Sequence, residues 1–288
     1  MGLVRLALSL LVVGSHVGGL GDTPAGGAAV GGFFVLSGFL MARTIVENYP
    51  GSGAPRFYAN RLIRLGPPFV AVLALTALTL WIRDSRGFAI VRGSPHLYMP
   101  IEFPPAWSEF VELNRHGPPN FVRLQIRLVP QAWSLLVESC FYLLSPLLVW
   151  TATRHRLVVL VLVTAASFGL ALQSSMLPAG PDWMRSPSSS LWVFTLGMLV
   201  YFTNPLARAS RLARRIAQPL AAVPIAILIW LATGMTDLAQ PAVLLITPAL
   251  VAVWLVLGQW ITRTSPAWDR TIGNYAYGVF LGHFLSTL

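Results

Sequence analysis

With 288 residues, 55% of them hydrophobic and only 10% charged, this chain cannot clothe itself in an ordinary water-facing surface, for which soluble domains use roughly 25% charged residues. The formal charge is +10 and all 20 basic residues are Arg. They lie in hydrophilic gaps between apolar blocks, so membrane topology accounts for them better than a nucleic-acid partner does. The one cysteine, Cys140, excludes an internal disulfide, a thiolate metal cluster and a dithiol redox pair.

The apolar blocks are long enough to cross a hydrocarbon core of about 30 Å as helices, the conformation that satisfies its own backbone in lipid. An all-α polytopic bundle is therefore expected, with about nine spans near 3–20, 28–46, 67–82, 133–152, 157–173, 190–203, 217–233, 241–261 and 272–288. The first block follows Arg5 and ends in small residues, as a secretory signal does. It is read as a retained span, because it contains His16 and further apolar segments follow. Leu6 stands where a myristoylation signal needs Ser or Thr.

Within the first span, Arg5 and His16 are eleven residues apart, which places them within about 20° of one helical stripe and about 16 Å apart along the axis. Ionisable groups in spans are costly and mark function by default. A neutral imidazole can accept a hydroxyl proton, as a general base must; a buried histidine bonded to a neighbouring helix is the plainer reading. Ser37 in the second span lacks the first Gly of an esterase elbow, so close helix packing at Ser37 and Gly38 is expected instead. In the gap that follows, Arg61 and Arg64 share a helical face just ahead of Pro67 and Pro68. Their forks suit phosphate, although spacing alone favours ordinary anchoring at a basic membrane face.

The long gap at 83–132 holds several prolines and aromatics and is expected to form an external cap. The fourth span opens on Trp133 and Ser134, with Glu138 one turn on and on the face of Ser134. Its carboxylate would either reach interfacial water or orient the His16 imidazole. His96, His116 and His155 are isolated in gaps, and nothing has metal-ligand spacing. The short gaps on one side hold Arg56, Arg61, Arg64, Arg154, Arg156, Arg208, Arg211, Arg214, Arg215, Arg263 and Arg270, and those on the other hold Arg185, so the N-terminus is placed in the cytoplasm. No internal repeat is visible, unlike many transporters.

Taken in order, these motifs resemble the membrane-bound acyltransferase family 3, bacterial O-acyltransferases of surface polysaccharides and lipopolysaccharide. Arg5-x10-His16 is similar to the family's first-helix motif. Gly32-Phe33-Phe34-Val35-Leu36-Ser37-Gly38-Phe39-Leu40 resembles its second-helix signature, and Arg61-Leu62-Ile63-Arg64 its Arg-x-x-Arg. Trp133-Ser134-Leu135-Leu136-Val137-Glu138 resembles its Trp-Ser-Leu-x-x-Glu helix. The stretch from Gly273 through Asn274, Tyr275, Ala276 and Tyr277 to His283 resembles its late motif, with Ala276 and Phe280 standing where the pattern has Ser and Tyr.

The resemblance implies one integral membrane acyltransferase domain over 1–288 in a bacterial inner membrane. It also implies ten helices in a complete member, so that the chain is expected to stop short of the last. It implies acyl-CoA as donor, acetyl-CoA in the simplest case, a cell-surface or lipid-linked carbohydrate as acceptor, and no permanently bound cofactor or metal. Arg5, Arg61 and Arg64 would hold the donor, and His16 and Glu138 would be catalytic. Ser37, Gly38, Ser134, Tyr277 and His283 would support them. A transporter or flippase for a lipid-linked molecule, and an inactive relative, are the competing expectations.

Overall fold

The computed structural model describes residues 1–17, 25–51, 53–83, 132–154, 157–175, 184, 186–203, 219–220, 222–224, 226–227, 240–263 and 267–282. Within them the chain forms helices α1 (Gly2–Val17), α2 (Ala25–Asn48), α3 (Ala54–Arg83), α4 (Ala132–Arg154), α5 (Val158–Ser175), α6 (Pro187–Thr203), α7 (Gln240–Arg263) and α8 (Ala267–Gly282). The expected cap at 83–132 lies outside the described residues apart from its ends, and so do most of the span at 217–233 and the segment beyond Gly282.

Several elements start ahead of the sequence expectation, and three of them bear on the site or its packing. The sixth span starts at Pro187 rather than 190, because proline at a first helical turn has no amide to waste and its fixed φ suits the helix. The last helix starts at Ala267, five residues before the predicted span. The third starts at Ala54 and runs unbroken through Pro67 and Pro68, so the amphipathic stretch and the span are one rod. Neither proline can donate to the carbonyl four residues earlier, at Ile63 or Arg64, which leaves this turn open to outside donors. Tyr277 of α8 docks beside this turn, donating its hydroxyl to the next carbonyl, that of Leu65, at 3.4 Å.

Helix α2 lies at the centre, packed by α1, α4, α6 and α7. Its aromatic face supplies the core: Phe34 stacks on Phe194 of α6 at 4.5 Å between ring centroids, and Phe194 stacks on Phe141 of α4 at 4.3 Å. That stack is possible because α2 and α6 approach backbone to backbone. A Cβ on Gly38 would stand 1.9 Å from the Phe194 carbonyl oxygen, and one on Gly197 would stand 2.0 Å from that of Val35. Gly38→Ala should therefore cost about 3 kcal/mol by forcing the helices and the stack apart. Gly169, with open space around its Cβ position, is the control, and Gly169→Ala should be neutral or stabilising by up to about 1 kcal/mol. Thermal unfolding of the two variants in detergent checks both signs.

The outer faces are apolar. On α4, Leu143, Leu147 and Trp150 form an exposed stripe at helical spacing, and on α5 so do Val158, Val161 and Leu162. Large aliphatic side chains arrayed this way lose free energy in water and none in hydrocarbon. Among the described residues two helices, over Gly26–Asn48 and Ser134–Arg154, are long and apolar enough to cross a membrane on their own, with shorter apolar helices at Gly2–Ser15, Val158–Gln173 and Ile246–Leu257.

Candidate active site

Five helices, α1, α2, α3, α4 and α8, line a partly open cavity of about 90 Å³, room for several waters or a short chain. Arg5, Ser37, Arg61, Arg64, Ser134, Glu138 and Tyr277 all line it, as does Tyr142. The fold thus brings together residues that lie as far apart in sequence as Arg5 and Tyr277. His16 belongs to the last turn of α1, its side chain outside the described set, and His283 lies outside the described residues altogether.

Glu138 is the acidic member of this lining. Its Oε1 accepts a hydrogen bond from Ser37 Oγ at 2.5 Å and a second from the Tyr142 hydroxyl, one helical turn further along α4. Ser37, expected only as a small residue at a helix crossing, therefore also carries a polar contact, while the closest crossing falls at its neighbour Gly38. Tyr142 was not singled out by the sequence reading. Its separation of four residues from Glu138 was the available signal, since such pairs meet on a helix surface.

The two members of the Arg-x-x-Arg pair differ sharply. Arg61 is only 9% exposed, and its Nε has no hydrogen-bond partner among the described residues. Its guanidinium lies 5.3 Å from the Phe57 ring centroid and 5.7 Å from that of Tyr142, an arrangement in which the ring faces offset part of the lost hydration. Arg64 is exposed and touches Asn274 of α8 at 3.5 Å. With Arg5, three guanidiniums share the space with one carboxylate, a surplus of positive charge in a confined volume. Such a site favours an anionic guest. Among the described residues no three His, Cys, Asp or Glu side chains converge, and Cys140 is a free, half-buried thiol.

Helix α1 is clamped to α8, which fixes Arg5 beside the cavity. Asp269, in the first turn of α8, accepts the Leu3 amide at 2.9 Å and the Met1 ammonium at 2.6 Å. About two turns into the contact, Ser9 Oγ donates to the Ala276 carbonyl at 2.8 Å. Ala276, where a serine was the family pattern, is 1% exposed, so its methyl is packed. Phe280, where a tyrosine was expected, meets Phe33 edge-on at 5.7 Å.

Burial alone would raise the Asp269 carboxyl, but the ammonium and the Gly2 and Leu3 amides outweigh it and hold the group well below the usual carboxylate range. The stability it contributes is complete above that range and is lost as the pH falls through and beneath it. Asp269→Ala should cost about 3 kcal/mol, because it strands buried donors at the start of α1. Thermal melts of wild type and variant in detergent at neutral pH measure this, and a variant as stable as wild type would remove the clamp.

The family model described as an acyltransferase domain matches residues 1–287. The chain belongs to the acyltransferase 3 family. No curated protein and no solved structure matches it. The family is membrane-bound, in keeping with the exposed apolar stripes of α4 and α5, and membership makes this protein an acyltransferase. An acyl donor and an acceptor follow from the reaction class.

Proposed function

We propose that this acyltransferase moves an acyl group, acetyl in the simplest case, from cytoplasmic acyl-CoA to a hydroxyl of a cell-surface or lipid-linked carbohydrate in a bacterial inner membrane. The observation that carries the reading is the cavity in which Arg5, Arg61 and Arg64 surround a single carboxylate, Glu138, inside an apolar helical bundle. Confined cationic charge suits the phosphates of a CoA ester. The small volume suits its thioester end.

In this scheme the acceptor oxygen attacks the thioester carbonyl while His16 takes the hydroxyl proton. The new C–O bond forms, the C–S bond breaks, and the departing thiolate recovers the proton from the imidazolium, so that free CoA and an ester leave. Glu138 positions or polarises the imidazole, and Arg5, Arg61 and Arg64 hold the donor. Ser134, Ser37, Gly38, Tyr277 and His283 support the helices around them. The nine-span arrangement with a cytoplasmic N-terminus, a single domain over 1–288 and an external cap at 83–132 places the Arg5 end toward the donor and the His16 end toward the acceptor.

Membranes containing the protein, incubated with isotope-labelled acetyl-CoA and then profiled for acylated glycans by mass spectrometry, test the reading. Labelled ester on a carbohydrate is the expected result. Transport of a lipid-linked substrate with no new ester from any acyl-CoA would overturn it.

A further inference from the structure

We infer that Ser37 and Tyr142 are positioning residues that fix Glu138 so that a single oxygen, Oε2, serves the cavity. The inference rests on the acyl-transfer reading and adds to it how the one acidic group of the site is held. A carboxylate has two equivalent oxygens and about four acceptor positions. Here both hydroxyl donors converge on Oε1, Ser37 Oγ at 2.5 Å and the Tyr142 hydroxyl alongside it. Oε2 carries no hydrogen bond among the described residues, while Glu138 itself lines the cavity.

The two donors come from different elements, which is what makes the arrangement orienting rather than merely local. Tyr142 rises from Glu138's own helix, whereas Ser37 reaches across from α2. A single bond would let the carboxylate swing about it. Two bonds from two directions hold the plane, and with Oε1 occupied the group accepts a hydrogen bond or a proton from a guest at Oε2 alone. Preorganisation of this kind is effective in a water-poor site because no dipole has to turn during the reaction.

Tyr142 has a second contact that couples the two halves of the site. Its ring lies 5.7 Å from the guanidinium of Arg61, the buried cation with an unpartnered Nε. The ring therefore steadies the donor-side cation while the hydroxyl steadies the carboxylate. These two jobs separate by mutation, since phenylalanine keeps the ring and discards only the hydroxyl.

Steady-state acyl transfer by full-length protein in membranes, with acyl-CoA varied, tests the inference. Ser37→Ala and Tyr142→Phe should each lower kcat by about tenfold with KM for acyl-CoA unchanged, the pattern of an interaction needed in the transition state only. Ser37→Thr, which restores a hydroxyl, should recover most of the rate. Tyr142→Leu, lacking the ring as well, should raise KM for acyl-CoA in addition. Wild-type kcat in both Ser37→Ala and Tyr142→Phe, or a loss in Ser37→Ala that Ser37→Thr does not recover, overturns the inference while leaving acyl transfer standing. A wild type that transfers no acyl group overturns the functional reading and this inference with it.

Discussion

Replacing His16 with alanine is expected to reduce acyl transfer by about 10²- to 10⁴-fold, the range that a positioned general base contributes. The attacking group is a neutral hydroxyl, a poor nucleophile until its proton is drawn off. Helix α1 is held rigidly enough for the role, pinned to α8 through Asp269 at its first turn and through Ser9 one to two turns later. Because Arg5 lines the cavity from this helix and His16 lies eleven residues on, about 16 Å along the axis on nearly the same stripe, the two mark successive depths of one path. Wild type and His16→Ala in membranes, compared for isotope transfer and for the mass profile of their glycans, decide the matter. Equal rates in the two proteins would remove His16 from the chemistry, and His16→Ala should leave donor binding intact.

Arg61→Ala should raise KM for acyl-CoA by about 10- to 100-fold, because it deletes a buried cation whose Nε has no partner among the described residues and whose hydration has been replaced by two aromatic faces. Charge-assisted bonds to phosphate are among the stronger ones available to a side chain. Arg61→Lys should recover only part of the loss, since an ammonium lacks the planar fork and is costlier to strip of water. Arg64→Ala should have a smaller effect, for Arg64 is exposed and its charge is better screened by solvent. Acyl-CoA titrations on the three variants give the ranking. A larger penalty at Arg64 than at Arg61 would reverse the assignment of the principal donor anchor.

Helical architecture was legible in the amino-acid sequence because long apolar runs with few charges have one economical solution in lipid, the self-satisfied helix. The same reading located Arg5, Ser37, Arg61, Arg64, Ser134, Glu138 and Tyr277, which the fold gathers around one cavity. Arg5 and Glu138 stood out as charges in apolar blocks and Arg61 and Arg64 by their spacing, whereas Ser37, Ser134 and Tyr277 were marked mainly by the motifs of the family resemblance. What the sequence lacked was every relation between helices. Periodicity gave Arg61 and Arg64 the same face, yet Phe57 of the same helix and Tyr142 of α4 cover the first, while the second stays exposed.

Spacing likewise paired Ser134 with Glu138, whereas the hydroxyls that bond the carboxylate come from Ser37 and Tyr142. Asp269 lies ahead of the last span expected from the sequence, and nothing local reveals that the Leu3 amide of α1 donates to its carboxylate. The proline pair looked like a boundary, since the cost of unbonded carbonyls is visible in sequence, whereas the helix runs on through both prolines and Tyr277 docks against it at the Leu65 carbonyl. Sequence by itself determined which stretches are helices and which polar residues they carry, because both follow from contacts within one turn. Only the tertiary structure decided which of those residues meet, because contacts between helices depend on close approaches such as Gly38 against Phe194, set by the whole bundle at once.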